Sequence, residues 1–385
     1  MRVAVTTLAV CVSSLLALGL VMLYSSSMVM VDKQHSPVGA RMLQMQLIWA
    51  ALGAMACFVM ARLDYAILRK LVWPIFLVTV VLAALVFVPP FGKRLNGAHR
   101  WIGLPGLPFT LQPSELIKIA LIIAIAWYGE RTQRKMHSFF RGIMVPGLII
   151  GSALALVFIE PDRGTTILMA GVTGTMLLLA GARWWHLIMI GMVAVGLLLF
   201  SFKHDSMRSG RISAWLHPEA HLSGAALQAE EAKKAIGAGG LLGVGLGNGL
   251  QKNGFVPEIQ SDFIFANIGE ELGLIATFSV VAAFFLIACC GFQIARQARD
   301  QFGCLLAVGI TFLISYQALI NMGVVTSLLP NKGLALPFIS AGGSSLCALL
   351  AGVGILISVA RQADPLKKVS SDFAPEANPF SAKPT

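Results

Sequence analysis

The amino-acid sequence predicts an all-α polytopic membrane protein of about ten transmembrane helices, with a large extracytoplasmic loop between helices 7 and 8 and a re-entrant segment before helix 10. Three observations predict it. Of the 385 residues, 57% are hydrophobic and 12% charged, about half the charge content of a soluble domain, and the mean hydropathy is +0.79. Apolar runs long enough to cross the hydrocarbon layer recur along most of the chain. These runs are continuous rather than alternating, which excludes a closed β-barrel.

The runs begin near Val5, Gln44, Leu71, Pro113, Gly142, Gly164, Trp184, Glu271, Gly303 and Ser345. The first follows a single Arg2, outlasts a signal-peptide core and shows no small-residue cleavage site, so it is expected to stay as an anchor. Residues 1–363 form the membrane domain, with 202–265 as its long loop, and 364–385 read as a disordered tail rich in proline, serine and charge.

Charge sets the expected orientation. An even number of spans leaves both termini on one side. The loops of that side carry Arg62, Arg69 and Lys70, then Arg131, Arg134, Lys135 and Arg141, then Arg183, Arg296 and Arg299. The positive-inside rule makes that side, and both termini, cytoplasmic. The opposite side is also basic, with Lys93, Arg94 and Arg100 in one loop and Lys203, Arg208, Arg211, Lys233, Lys234 and Lys252 in the long one. Exported cations run against the topological bias. They suit an anionic ligand on the outer face, or lipid headgroups.

Several chemistries are excluded or disfavoured. All six cysteines lie in apolar runs without CxxC or Cys/His spacing, which argues against a zinc site or a disulfide framework. The glycines at 243, 245, 247 and 249 lack the strand and the Lys-Ser/Thr of a phosphate-binding loop. No internal repeat is evident.

Four segments carry candidate chemistry. In NGAHRWIGLPGLPFTLQPSELIKIAL, from Asn96 to Leu121, Pro113 suits the first turn of a helix and Ser114 and Glu115 its positive end. Glu115 is spaced to pair with Lys118, which then either closes an ion pair at the bundle wall or lines a polar cavity. In the second segment, Glu160 to Thr166, Asp162 is placed to cap the following helix. The third runs from Gly237 to Gly273 and holds Glu258, Asp262, Glu270 and Glu271 near a hydrophobic helix start. Carboxylates at a membrane boundary are costly to desolvate, so they mark a substrate path, a proton path or catalysis. The fourth, LLPNKGLALPFISAGGSS from Leu328 to Ser345, breaks the helical pattern with prolines and glycines. Such backbone is tolerated at membrane depth only against protein or a wet cavity.

Together these segments resemble the SEDS family (shape, elongation, division and sporulation), the polytopic peptidoglycan polymerases that include FtsW, RodA and SpoVE. The resemblance covers roughly 16–361 and rests on HRWI…QPSELIKIAL, PDRGTT, GLGNGLQK…PEIQSDFIFANIGEELG and LLPNKGLALPFISAGGSS in that order. The NKGL and TLQPSELIKIAL wordings are closer to the division member than to the elongation member. Departures are Arg163 where the family has leucine, Ile259-Gln260-Ser261 before the aspartate, and Ala341 where tyrosine is common.

The resemblance implies a peptidoglycan glycosyltransferase of cell division in the inner membrane. Its donor is a lipid-linked disaccharide-pentapeptide diphosphate (lipid II), and its acceptor a sugar hydroxyl of another. A base must take the hydroxyl proton, and cations must hold the departing diphosphate. Asp262, followed by Phe263, matches the family's Asp-Phe motif and is the candidate base; by spacing alone it equally fits an N-cap. Glu258, Glu271 and Lys118 are candidates for support, while Glu270 reads as solvated. Arg94, Arg100, Arg211, Lys332, Gln112 and Ser114 are candidates for contact with the diphosphate or lipid II, arginine as a bidentate fork and lysine as a point charge. Trp101 and Trp215 read as interface anchors. A divalent cation, Mg or Mn, bridging Asp262 and the diphosphate is chemically reasonable, although no compact metal motif is present. The implied partners are a class B penicillin-binding protein and other divisome proteins, with no nucleic acid. The competing readings are a lipid II flippase and a non-catalytic scaffold; the absence of an inverted repeat argues against the flippase.

Overall fold

A computed structural model describes residues 1–27, 38–88, 91–95, 98–103, 110–203, 215, 225–250, 261–330 and 332–363. Glu258, Arg211 and the 364–385 tail lie outside the described residues. The helices are α1 (Arg2–Ser27), α2 (Val38–Arg62), α3 (Ala66–Lys70), α4 (Val72–Leu85), α5 (Pro113–Thr132), α6 (Val145–Ile159), α7 (Arg163–Leu179) and α8 (Trp184–Lys203). They continue with α9 (Ala225–Gly239), α10 (Ile264–Arg296), α11 (Gln301–Val325) and α12 (Gly343–Arg361). A π-helical turn, Phe140–Met144, leads into α6.

Each apolar run of the sequence falls on one of these helices, although α2 and α10 begin a turn or more earlier than hydropathy alone places them. Six stretches among the described residues are long and apolar enough to cross a membrane: α1, α2, Phe140–Ile159, α10, α11 and α12. The chain is therefore a mostly helical, polytopic membrane protein. Local chemistry sets the helix starts. Pro113 sits in the first turn of α5, Asp162 caps α7 by accepting from Thr165 N at 3.2 Å, and Asp300 caps α11 by accepting from Gly303 N at 2.8 Å.

Two elements correct the expected architecture. The segment before α5 holds a three-stranded antiparallel sheet, β1 (Gly92–Leu95), β2 (Ala98–Gly103) and β3 (Thr110–Leu111), so the fold is not purely helical. Leu95 pairs with Ala98 across an Asn-Gly dipeptide, a strong hairpin signal that the short basic strands obscured. The long 202–265 segment is not all loop either. The Ala-, Glu- and Lys-rich sequence 225–239 forms α9, which packs on α10.

The centre of the bundle is α5, α11 and α12, which carry long lists of buried side chains. Around them α2 packs on α12, α1 on α10, and α4 and α7 on α5. α10 is broken at Gly273, whose φ of 77° and ψ of −173° are open in practice only to glycine. A helix break in an apolar setting leaves backbone groups that need partners. The glycine-rich run after α9 supplies them. Val244 N donates to Glu270 O (3.0 Å) and Gly245 N to Glu271 O (3.0 Å), while Leu274 N donates to Gly240 O (2.9 Å). The run of glycines is thus a stitch across the break.

Between α11 and α12 the chain is irregular; Leu328 and Leu329 are exposed, whereas Leu334, Leu336, Phe338 and Ile339 are buried in the core. Ser340 holds it in place, its hydroxyl accepting from Leu336 N at 2.7 Å and donating to Ser261 O.

Candidate functional site

Asp262 stands one residue before the N-cap position of α10, which is Phe263 and makes no side-chain cap. Asp262 is half-buried, and its carboxylate faces the backbone of Gly333 so closely that a Cβ on Gly333 would collide with Oδ2. Its main chain is fixed from α11. Asn321 Nδ2 donates both to Asp262 O (2.8 Å) and to Leu334 O (2.6 Å), clamping the start of α10 to the irregular segment.

Asn321 belongs to a polar column inside the apolar core. One turn earlier on α11, Gln317 donates from Nε2 to Ala335 O (2.9 Å) and accepts at Oε1 from Lys118 Nζ (3.1 Å). Lys118 in turn meets Glu115 Oε2 at 2.7 Å, as their spacing on α5 anticipated. With Lys118 1% and Glu115 6% exposed, this pair is a core element. Removing either partner would strand a charge. Gln317 and Asn321 were missed by the sequence reading, although two amides four residues apart in an apolar helix are a legible signal.

The turn between α6 and α7 forms the next wall. Arg100 on β2 donates from Nε to Glu160 O (3.0 Å) and from Nη2 to Pro161 O (2.6 Å), so its guanidinium is engaged with the turn's backbone. Asp162 accepts at Oδ2 from Gln112 Nε2 (3.2 Å) and from Thr165 Oγ1 (3.0 Å). Glu160 is fully buried and neither carboxyl oxygen has a hydrogen-bond partner. Burial, with the neighbouring Asp162 charge adding to it, pushes its pKa up to about 8 against the pull of Arg100. The shift favours the protonated form of Glu160 near neutral pH.

This wall abuts the segment that carries Lys332 and Gly333. Gly164 packs on Leu334 Cγ, at 3.1 Å from where its Cβ would lie, and on Gly333 O at 3.5 Å. Burial first, and the Arg163 charge second, push the Lys332 ammonium below the ordinary lysine range.

The other candidates sit as follows. Ser114 is fully buried in the first turn of α5. Arg94 lies on β1, paired with His99. Glu271 is buried and accepts from Ser25 Oγ (2.6 Å) and Gly247 N (3.1 Å), so it ties α1 and the glycine stitch to α10. Glu270, expected to be solvated, is instead 2% exposed and accepts from Leu250 N at 2.7 Å. A carboxylate facing backbone amides is worth burying, and the sequence could not show that those amides fold back over it. Trp215 donates from Nε1 to Ser327 O at 2.9 Å. All six cysteines are free. Among the described residues no group of three or more His, Cys, Asp or Glu side chains is placed to hold a metal ion.

Apolar helices around a buried polar column that runs from Lys118 through Gln317 and Asn321 to the main chain of Asp262 define a polytopic membrane protein. The chain belongs to the FtsW/RodA/SpoVE family of cell cycle proteins, whose family model matches residues 6–364. It is 41% identical over 348 residues to the probable peptidoglycan glycosyltransferase FtsW of Trichlorobacter lovleyi, covering 90% of this chain and 91% of the relative. It is 38% identical over 352 residues to the stage V sporulation protein E of Bacillus subtilis, covering 90% and 94%. Among solved structures it is similar to a chain from a study of how a peptidoglycan synthase complex coordinates polymerization and crosslinking (TM-score 0.76, 26% identity, 92% and 96% covered). It is also similar to the rod shape determining protein RodA of Thermus thermophilus (TM-score 0.67, 26% identity, 92% and 96% covered).

Proposed function

We propose that this protein is a peptidoglycan glycosyltransferase that polymerises lipid II at the outer face of the cytoplasmic membrane during cell division, with Asp262 as general base. The observation that carries the reading is the fixed, half-buried Asp262 carboxylate against Gly333, next to Lys332 in the chain, in a protein whose relatives are named for this activity.

The chemistry has two parts. The incoming sugar hydroxyl loses its proton to Asp262 as its oxygen attacks the anomeric carbon of the donor. The glycosidic bond forms, the sugar–phosphate bond breaks, and the bonding electrons leave with the lipid diphosphate. Lys332 is the described cation best placed to meet that charge, with Arg94 and Arg211 as further candidates on neighbouring loops. Arg100 and Gln112 act by fixing the turn that holds the wall. Ser114, Lys118 and Glu271 support the site from within the protein, since all are buried. Glu258 remains a candidate for supporting the base.

In this reading ten helices span the membrane: α1, α2, α4, α5, α6 with its π-helical turn, α7, α8, α10, α11 and α12. The basic loops place both termini in the cytoplasm. The long loop that includes α9 is extracytoplasmic, and the segment after α11 re-enters to line the site. A class B penicillin-binding protein supplies crosslinking, consistent with the similarity to a chain of a synthase complex.

The test is polymer formation from labelled lipid II by the purified protein with its transpeptidase partner, compared with lipid translocation in liposomes. Polymer without translocation supports the enzyme; translocation without polymer would replace it with the flippase.

A further inference from the structure

We propose that the end of the bundle where α3, α4 and α5 meet binds an anionic phospholipid, with Arg131 as the contact to its phosphate and one acyl chain laid along α4. The proposal does not depend on the glycosyltransferase reading. In the orientation given above, the lipid belongs to the cytoplasmic leaflet.

Two ring contacts build the site. The Trp73 ring of α4 meets the Trp127 ring of α5 edge to face, with 5.5 Å between centroids. One turn further along α5, the Arg131 guanidinium lies over the Trp127 ring, 5.6 Å from its centroid. A cation held on an aromatic face stays beside the apolar surface instead of swinging into water. The donors of a guanidinium lie in its own plane, so contact with a ring leaves them to grip phosphate oxygens. Arg131 is exposed, and among the described residues it makes no ion pair.

The acids at this end already have partners. Arg69 bridges Glu130 Oε1 at 2.8 Å and also meets Asp300 Oδ2. Asp300 accepts further from Tyr65 Oη (3.0 Å) and Gly303 N (2.8 Å), and Asp64 accepts from Ala66 N (2.7 Å). The Arg69–Glu130 bridge ties the end of α3 to the end of α5. Lys70, exposed and without an ion pair among the described residues, adds its charge from the end of α3. The tail has a path as well. Trp73, Leu77 and Val81 recur every fourth residue on α4 and all are exposed, so they form one ridge leading away from the ring contact. Tryptophan marks the headgroup level of a bilayer, which puts the phosphate at Trp73 and the chain toward Val81. A zwitterionic phospholipid fits the same ridge, but its own ammonium offsets the gain at Arg131, so the site selects net negative charge.

The experiment titrates the full chain in neutral detergent with dioleoyl phosphatidylglycerol and, separately, dioleoyl phosphatidylcholine, and reads retained lipid by native mass spectrometry. Wild type should hold the anionic lipid about fivefold more tightly, the increment of one basic side chain near an anionic headgroup. Arg131→Gln should abolish that preference, and Arg131→Lys should keep part of it. Arg62→Gln is the control. It removes the same charge from an arginine that lies over Phe58 of α2 at 4.8 Å, outside the ring cluster, and should leave the preference within about twofold. Added phosphatidylglycerol should also raise the melting temperature of wild type more than that of Arg131→Gln, because the lipid binds the folded chain. Equal retention of both lipids by wild type would mean annular lipid only and would overturn the site. An equal loss in Arg131→Gln and Arg62→Gln would reduce it to diffuse surface charge and would overturn it too. Should Arg131→Gln not fold, Arg131→Met carries the same comparison.

Discussion

The carboxylate of Asp262 and the backbone of Gly333 are in such close contact that no side chain fits between them. Asp262 starts α10 and Gly333 lies 71 positions on, in the irregular segment before α12, and Asn321 bonds main-chain oxygens beside both. The proposed base is therefore aimed by three segments at once.

The first prediction follows from that contact. In Gly333→Ala the methyl group displaces the Asp262 carboxylate, because the Asn321 clamp keeps the backbones from separating. Polymer formation should fall at least about tenfold, with a stability loss of about 1–3 kcal/mol, the usual cost of overpacking. Lipid II polymerisation and thermal melting of the variant check both.

The second concerns the stitched helix. Gly273→Ala puts a Cβ at a φ of 77° and against Gly243 N and Leu241 O. Strain of this kind costs about 1–3 kcal/mol before the collision is counted. The yield of folded protein should drop sharply, whereas Gly237→Ala, which meets nothing within 4 Å, should leave it unchanged; size-exclusion profiles compare them.

The third tests the polar column. Lys118→Met leaves Glu115 charged in the core and should destabilise by about 3–5 kcal/mol. The double variant Glu115→Gln with Lys118→Met should recover much of that stability. Melting curves of the single and double variants measure the coupling.

The fourth is a pH dependence. The folded-state pKa of Glu160 is raised to about 8, so the folded protein keeps a proton that the unfolded chain releases above its ordinary value near 4.5. Its contribution is fully present below about pH 4.5, is lost as pH rises toward about 8, and is constant above. The melting temperature of Glu160→Gln relative to wild type should therefore climb through that window. A constant difference from pH 4.5 to 8.5 would show that Glu160 is charged in the fold.

Much of this was legible in the sequence because hydropathy and capping are local. Each apolar run became a helix, Glu115 and Lys118 paired as their spacing requires, and Asp162 capped α7. What was not legible depends on long-range return of the chain. Glu270 looks solvated until the glycine stitch folds back over it. Gln317 and Asn321 stand out as amides in an apolar helix, but their partners Ala335, Leu334 and Asp262 come from segments that the sequence does not bring together. The small sheet and α9 were missed for a simpler reason: hydropathy is silent on polar segments, where propensity and an Asn-Gly pair carried the signal.

The most direct measurement is polymerisation of labelled lipid II by wild type and Asp262→Asn, both reconstituted with the transpeptidase partner. Asparagine keeps the shape beside Gly333 and removes only the basic oxygen. The account predicts unchanged diphosphate binding, an unchanged melting profile and polymer reduced by at least about a hundredfold, the lower range for loss of a general base. Polymer from Asp262→Asn at the wild-type rate would contradict it.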